Sequence, residues 1–252
     1  MSNLENPNSP VPVSPRPLRT WDFMETTFVS LIAYAVYQLT AKLALTIMLR
    51  MQDGAENLSS AQFYALAAQG RWYGAALIIA SPLTIAVLWI AIRRTGREFA
   101  EYLALNWPSA SELARALAIT AILLVAEMAP GYFVDAQYPS VAPLLNVNGA
   151  GGLLILLVAG CIAGPIMEEF IVRGFMFRGW SQSFLGPIGA VTLTAAVWAL
   201  IHTQYDWFGR LWIFVMGLAL GHFRWRSNST WLAVMIHSAM NTVIFFSMGP
   251  YT

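Results

Sequence analysis

The stretch "GPIMEEFIVRGFMFRGW", Gly164 to Trp180, sets two adjacent carboxylates, Glu168 and Glu169, and the guanidinium of Arg173 inside some of the most apolar sequence of the chain. Charge in such surroundings persists only where a partner or a function holds it there. The rest of the sequence shows what those surroundings are. Of 252 residues, 58% are hydrophobic and 11% charged, and the mean hydropathy is +0.58. A soluble domain carries roughly 25% charged residues. The chain is therefore read as an integral membrane protein. A net charge of +1 gives no electrostatic basis for a nucleic-acid partner. Cys161 is the only cysteine, so no disulfide forms within the chain, and it reads as a small buried hydrophobe.

Apolar runs of about 20 residues predict seven spans, near 26–49, 72–92, 114–134, 150–170, 187–204, 207–224 and 229–248. The fold class is all-α, a polytopic transmembrane helix bundle of six to eight spans without an internal repeat. A break or re-entrant piece at Gly164-Pro165 would alter the count. Residues 1–22, "MSNLENPNSPVPVSPRPLRTWD", are rich in Pro, Ser and Asn and are expected to be a disordered tail, with no apolar core of a signal peptide. Residues 23–145 form the N-terminal helices, with an interfacial helix near 97–106, and 150–248 a C-terminal transmembrane domain. In "PSASE", Ser109 or Ser111 starts the third span with Glu112 in its first turn. Arg16, Arg19, Arg93, Arg94, Arg97, Arg115, Arg178, Arg224 and Arg226 fall on one side of this arrangement. Arg50, Arg71 and Arg210 fall on the other. The positive-inside rule places the N-terminus in the cytoplasm and the C-terminus outside, and the plasma (inner) membrane is the expected location.

Ionisable groups at membrane depth are functional candidates. They are Lys42, Glu127, Glu168, Glu169, Arg173, His202 and His237, with Asn241 as a polar neighbour and His222 near a span end. Glu169 and Arg173 are four apart and share a helix face, whereas Glu168 points about 100° away from Glu169. Trp198–His202 and His237–Asn241 repeat the four-residue spacing. Singly, these read as a buried ion pair, a core histidine and a polar helix–helix contact. Together, a carboxylate, two imidazoles and an amide from three helices suit hydrolysis of an acyl bond by water. Lys42 and Glu127 read as a pair across spans or as a snorkelling lysine, and His222 as an interfacial residue.

Several chemistries lack their residues. There is no His-Glu-x-x-His, no Gly-x-Ser-x-Gly, no phosphate-binding loop and no dinucleotide fingerprint. "QYDW", Gln204–Trp207, has a Tyr-Asp without the Gly-x-Gly-Asp partner of an intramembrane aspartyl protease.

"EEFIVRGFMFRGW" resembles the Glu-Glu-x-x-x-Arg motif of the CPBP family, which includes Rce-type CAAX prenyl endopeptidases and bacterial Abi proteins. "WALIH", Trp198–His202, is similar to its Phe-x-x-x-His motif, with Trp in place of Phe. "GLALGHFRWRSNSTWLAVMIHSAMN", Gly217–Asn241, is similar to its last segment, ending in His-x-x-x-Asn. The resemblance covers residues 150–245. It implies an intramembrane endopeptidase acting on a membrane-associated protein or peptide. Glu168 would activate water, His202 would orient it or shuttle its proton, and His237 and Asn241 would form an oxyanion hole. Glu169, Arg173 and Trp198 would support them. A site without metal is favoured. The alternative is a catalytic zinc on Glu168, His202 and His237. Competing readings are a non-catalytic adaptor or bacteriocin-immunity protein, and a small transporter with a proton relay through Glu168 and His202. The drawn spans put His202 at the end of its helix, away from Glu168. Convergence of the motifs then needs a later fifth span or a broken fourth helix.

Overall fold

The computed structural model describes residues 19–52, 59–67, 69–133 and 149–247. Its helices are α1 (Phe23–Arg50), α2 (Ser60–Ala67), α3 (Gly70–Arg93), α4 (Phe99–Tyr102), α5 (Ala110–Phe133), α6 (Gly149–Val158), α7 (Gly164–Glu169), α8 (Phe177–Ser181), α9 (Gly186–Ile201), α10 (Trp207–Ser227) and α11 (Thr230–Ser247). Two π-helical segments, Ala159–Ala163 and Phe170–Met176, join α6, α7 and α8 into one continuous helix. Each expected span corresponds to a helical run. Phe23–Arg50, Gly70–Arg93, Gly151–Ser181 and Thr230–Ser247 are long and apolar enough to cross a membrane, and Gly186–Ile201 is a shorter apolar helix. Helices suit that solvent because they satisfy their backbone internally.

Local chemistry fixes the helix ends. Asp22 caps α1 and exchanges hydrogen bonds with Glu25, so the ordered chain begins before residue 23. Trp21 Nε1 also donates to the Ala91 carbonyl at 3.2 Å. The expected disordered tail is thus corrected at its last four residues, and the rest of it lies outside the described residues. At α5, Ser109 and Glu112 form the same reciprocal cap. α10 starts at Asp206, which accepts from Gly209 N at 2.8 Å, and ends at Asn228 in the left-handed region.

α1 packs chiefly on α3, and α9 on α10. Where α8 crosses α1, a Cβ on Gly179 would sit 1.9 Å from Thr26 Oγ1, so only glycine fits that crossing. Arg19, Arg93, Arg97 and Arg178 gather at one end through ion pairs with Glu25, Glu98 and Glu101.

The interfacial helix expected near 97–106 is corrected. Only Phe99–Tyr102 is helical, and Tyr102, Leu103 and Ala104 are buried. Tyr102 stacks on Phe175 with ring centroids 5.4 Å apart, and burial pushes its phenol up to about 12. Leu103 and Ala104 lend carbonyls to Thr230 Oγ1 and N, and Asn106 Nδ2 donates to the Asn228 carbonyl at 2.8 Å. Its apolar residues insert beneath the α10–α11 turn because those carbonyls find donors there.

The fourth span is corrected in length. It continues beyond residue 170 to Ser181 and does not break at Pro165. A proline inside an α-helix clashes with the carbonyl four residues back. Here the preceding turn is widened, with Gly164 N bonding the Ala159 carbonyl five residues back. Apolarity falls after 170 because of Arg173 and Arg178, but both arginines find carboxylates and the helix goes on.

Candidate active site

The extended fourth helix removes the apparent mismatch of depth. Glu168 lies thirteen residues before Ser181, and Trp198 twelve residues after Gly186. At about 1.5 Å per residue, both sit at the same level of an α-helical hairpin. Trp198 Nε1 donates to Glu168 Oε2 at 2.6 Å. One turn on, His202 forms the C-cap of α9, and its Nδ1 lies 2.7 Å from the Trp198 carbonyl. A carbonyl only accepts, so Nδ1 carries the proton and Nε2 of the neutral ring is a base.

Glu169 turns the other way and is fully buried, whereas Glu168 is half-buried. Glu169 Oε1 accepts from Arg173 Nη1 at 3.0 Å and lies 2.9 Å from His237 Nδ1. A carboxylate between a guanidinium and an imidazole is an acceptor, so Glu169 sets His237 as an Nδ1–H tautomer and leaves Nε2 uncommitted. Arg173, also fully buried, reaches the Gly217 carbonyl with Nη2 at 3.3 Å, and its Cζ lies 4.5 Å from the centre of the Trp198 ring. The edges of His202 and His237 both meet Trp198 in T-shaped contacts, each with centroids 5.1 Å apart. Trp198 is therefore the common neighbour of Glu168, Arg173, His202 and His237. Sequence reasoning treated it as a shape substitute for Phe and missed its donor. The signal was the indole N–H itself, which a tryptophan at membrane depth must place somewhere.

Asn241 is placed by the same π geometry that passes Pro165. In the five-residue register of Ala159–Ala163, the Gly160 carbonyl would take the N–H of residue 165, which proline lacks. Asn241 Nδ2 supplies the donor at 2.8 Å. The second π-segment behaves likewise, because the Arg173 carbonyl accepts from Arg224 Nε at 3.0 Å. Asn241→Leu is expected to leave the Gly160 carbonyl unpaired and to cost about 1–3 kcal/mol of stability. Pro165→Ala restores an N–H at that register. Thermal unfolding of the double variant in detergent should therefore show a loss smaller than the sum of the single losses, by about 1 kcal/mol. Additive losses would refute this pairing.

The remaining candidates lie on other helices. Lys42 is exposed on α1, His222 is exposed on α10, and Glu127 is half-buried on α5. Among the described residues, no group of three or more His, Cys, Asp or Glu side chains is arranged to hold a metal ion.

Fold and site define a class, a helical membrane protein whose bundle encloses a paired-glutamate and histidine site. Residues 150–243 match the family model of type II CAAX prenyl endopeptidases, Rce1-like. The matched region carries all three motifs, from Glu168 to Asn241. No curated protein and no solved structure matches the chain.

Proposed function

We propose that this protein is an intramembrane endopeptidase that hydrolyses a peptide bond of a membrane-associated protein or peptide with water activated by Glu168. The observation that carries the reading is the division of labour between adjacent carboxylates. Glu169 is sealed and neutralised by Arg173 and His237, while Glu168 is half-buried and has one oxygen fixed by Trp198.

In this reading the free oxygen of Glu168 takes a proton from water as the hydroxide adds to the scissile carbonyl carbon. His202 Nε2 accepts a hydrogen bond from the same water or passes its proton on. The C–N bond then breaks, and the amine leaves with the proton that Glu168 took. His237 Nε2 is the ring nitrogen left to face the oxyanion. Asn241 has two amide hydrogens. The one on the Gly160 carbonyl fixes the side chain, and the other serves the oxyanion. The arginine-rich end of the bundle faces the cytoplasm in this reading.

The test compares peptide termini in membranes from cells making the wild type or Glu168→Ala at matched protein levels. Termini that vanish only in the variant are the expected result. Identical termini from a folded, inserted variant would overturn the reading in favour of an adaptor or immunity role.

A further inference from the structure

We infer that Trp198 is a positioning residue for the proposed base, holding Glu168 through its indole N–H rather than merely filling space. This rests on the peptidase reading. Four observations carry it. The contact from Nε1 to Glu168 Oε2 is 2.6 Å, just shorter than the usual range for an N–H donor. Trp198 is 3% exposed, so its N–H has no water to turn to. The motif that "WALIH" resembles carries Phe at this place, and a phenyl ring would give packing without a donor. Finally, α10 packs closely on α9 beside the ring. Gly217 passes so close to α9 that an added Cβ would sit 3.0 Å from Ala195 Cβ and 3.2 Å from Trp198 Cε3.

The consequence is directional. A carboxylate on a glutamate side chain rotates freely unless one oxygen is held. With Oε2 held by Trp198, Oε1 is the oxygen presented to water. Arg173 lies over the face of the same indole, so the ring also spaces the guanidinium from Glu168. An arginine on the carboxylate itself would neutralise the base. Arg173 pairs with Glu169, and Glu168 accepts from the uncharged indole N–H. The backbone carbonyl of Trp198 separately sets the His202 tautomer, and that contact is indifferent to the side chain.

Trp198→Phe removes the N–H together with part of the ring and keeps the backbone carbonyl that holds His202. The test uses full-length protein in lipid nanodiscs, labelled with 15N at the tryptophan indoles, and as substrate a peptide spanning a site whose cleavage depends on Glu168. One low-field indole resonance, absent from Trp198→Phe, should move upfield in Glu168→Ala. Trp198→Phe should keep KM and lose at least tenfold in kcat. If no indole resonance moves in Glu168→Ala, there is no hydrogen bond and the inference fails, even where Trp198→Phe does not fold. It fails equally if the resonance moves but kcat of Trp198→Phe stays within twofold of wild type. If no peptide terminus made by the wild type is lost in Glu168→Ala, no such substrate exists and the underlying peptidase reading is overturned instead.

Discussion

Arg173→Ala lowers the stability of the purified protein by about 3–5 kcal/mol, enough to leave little folded protein at growth temperature. The guanidinium is fully buried, and its removal strands Glu169, also fully buried, with His237 as the one remaining partner among the described residues. The Gly217 carbonyl loses its donor in the same step. Desolvating a charge is recovered only when its partner is present, so breaking the pair costs far more than the pair contributes. Arg93→Ala is the control. Arg93 also pairs with a glutamate, Glu98 five residues away, but both side chains are exposed, and such pairs contribute about 0–1 kcal/mol. Thermal unfolding in one detergent should separate the two variants widely. Equal, small shifts would mean that Glu169 and Arg173 are solvated in the folded protein.

The bundle was largely legible because apolar length is a strong signal. The helix predicted over 72–92 runs from Gly70 to Arg93, and that over 229–248 from Thr230 to Ser247. The fourth span misled because hydropathy counts an arginine as a stop whether or not it is paired. Arg173 satisfied by Glu169 and Gly217 ends nothing. Pro165 misled for a related reason: sequence shows the clash but not the π-turn that relieves it. The segment after α3 looked interfacial because its charges alternate with apolar residues. Whether Leu103 meets lipid or protein depends on Thr230, more than a hundred residues away.

At the site, spacing alone paired Glu169 with Arg173 and set Glu168 apart, and the distances agree. That His237 answers to Glu169, and Asn241 to Gly160, are contacts across helices. No periodicity within one helix reports such contacts. The indole hydrogen bond was hidden for a different reason: reading Trp198 by shape discards the one atom that separates it from Phe.

The Glu168→Gln variant bears on the central claim with the least disturbance. Glutamine keeps the size of the side chain, and its carbonyl oxygen still accepts the Trp198 N–H, so the fold has no cause to change. It cannot take a proton from water. General-base catalysis contributes about 10²–10⁴-fold, so turnover should fall by that order with KM and the unfolding temperature unchanged. The measurement is single-turnover cleavage by wild type and Glu168→Gln in nanodiscs, on a peptide bearing a Glu168-dependent cleavage site. A rate reduced on the order of a thousandfold at equal stability is the result predicted. A rate within a few-fold of wild type would contradict the account, because water would then be activated by some group other than Glu168.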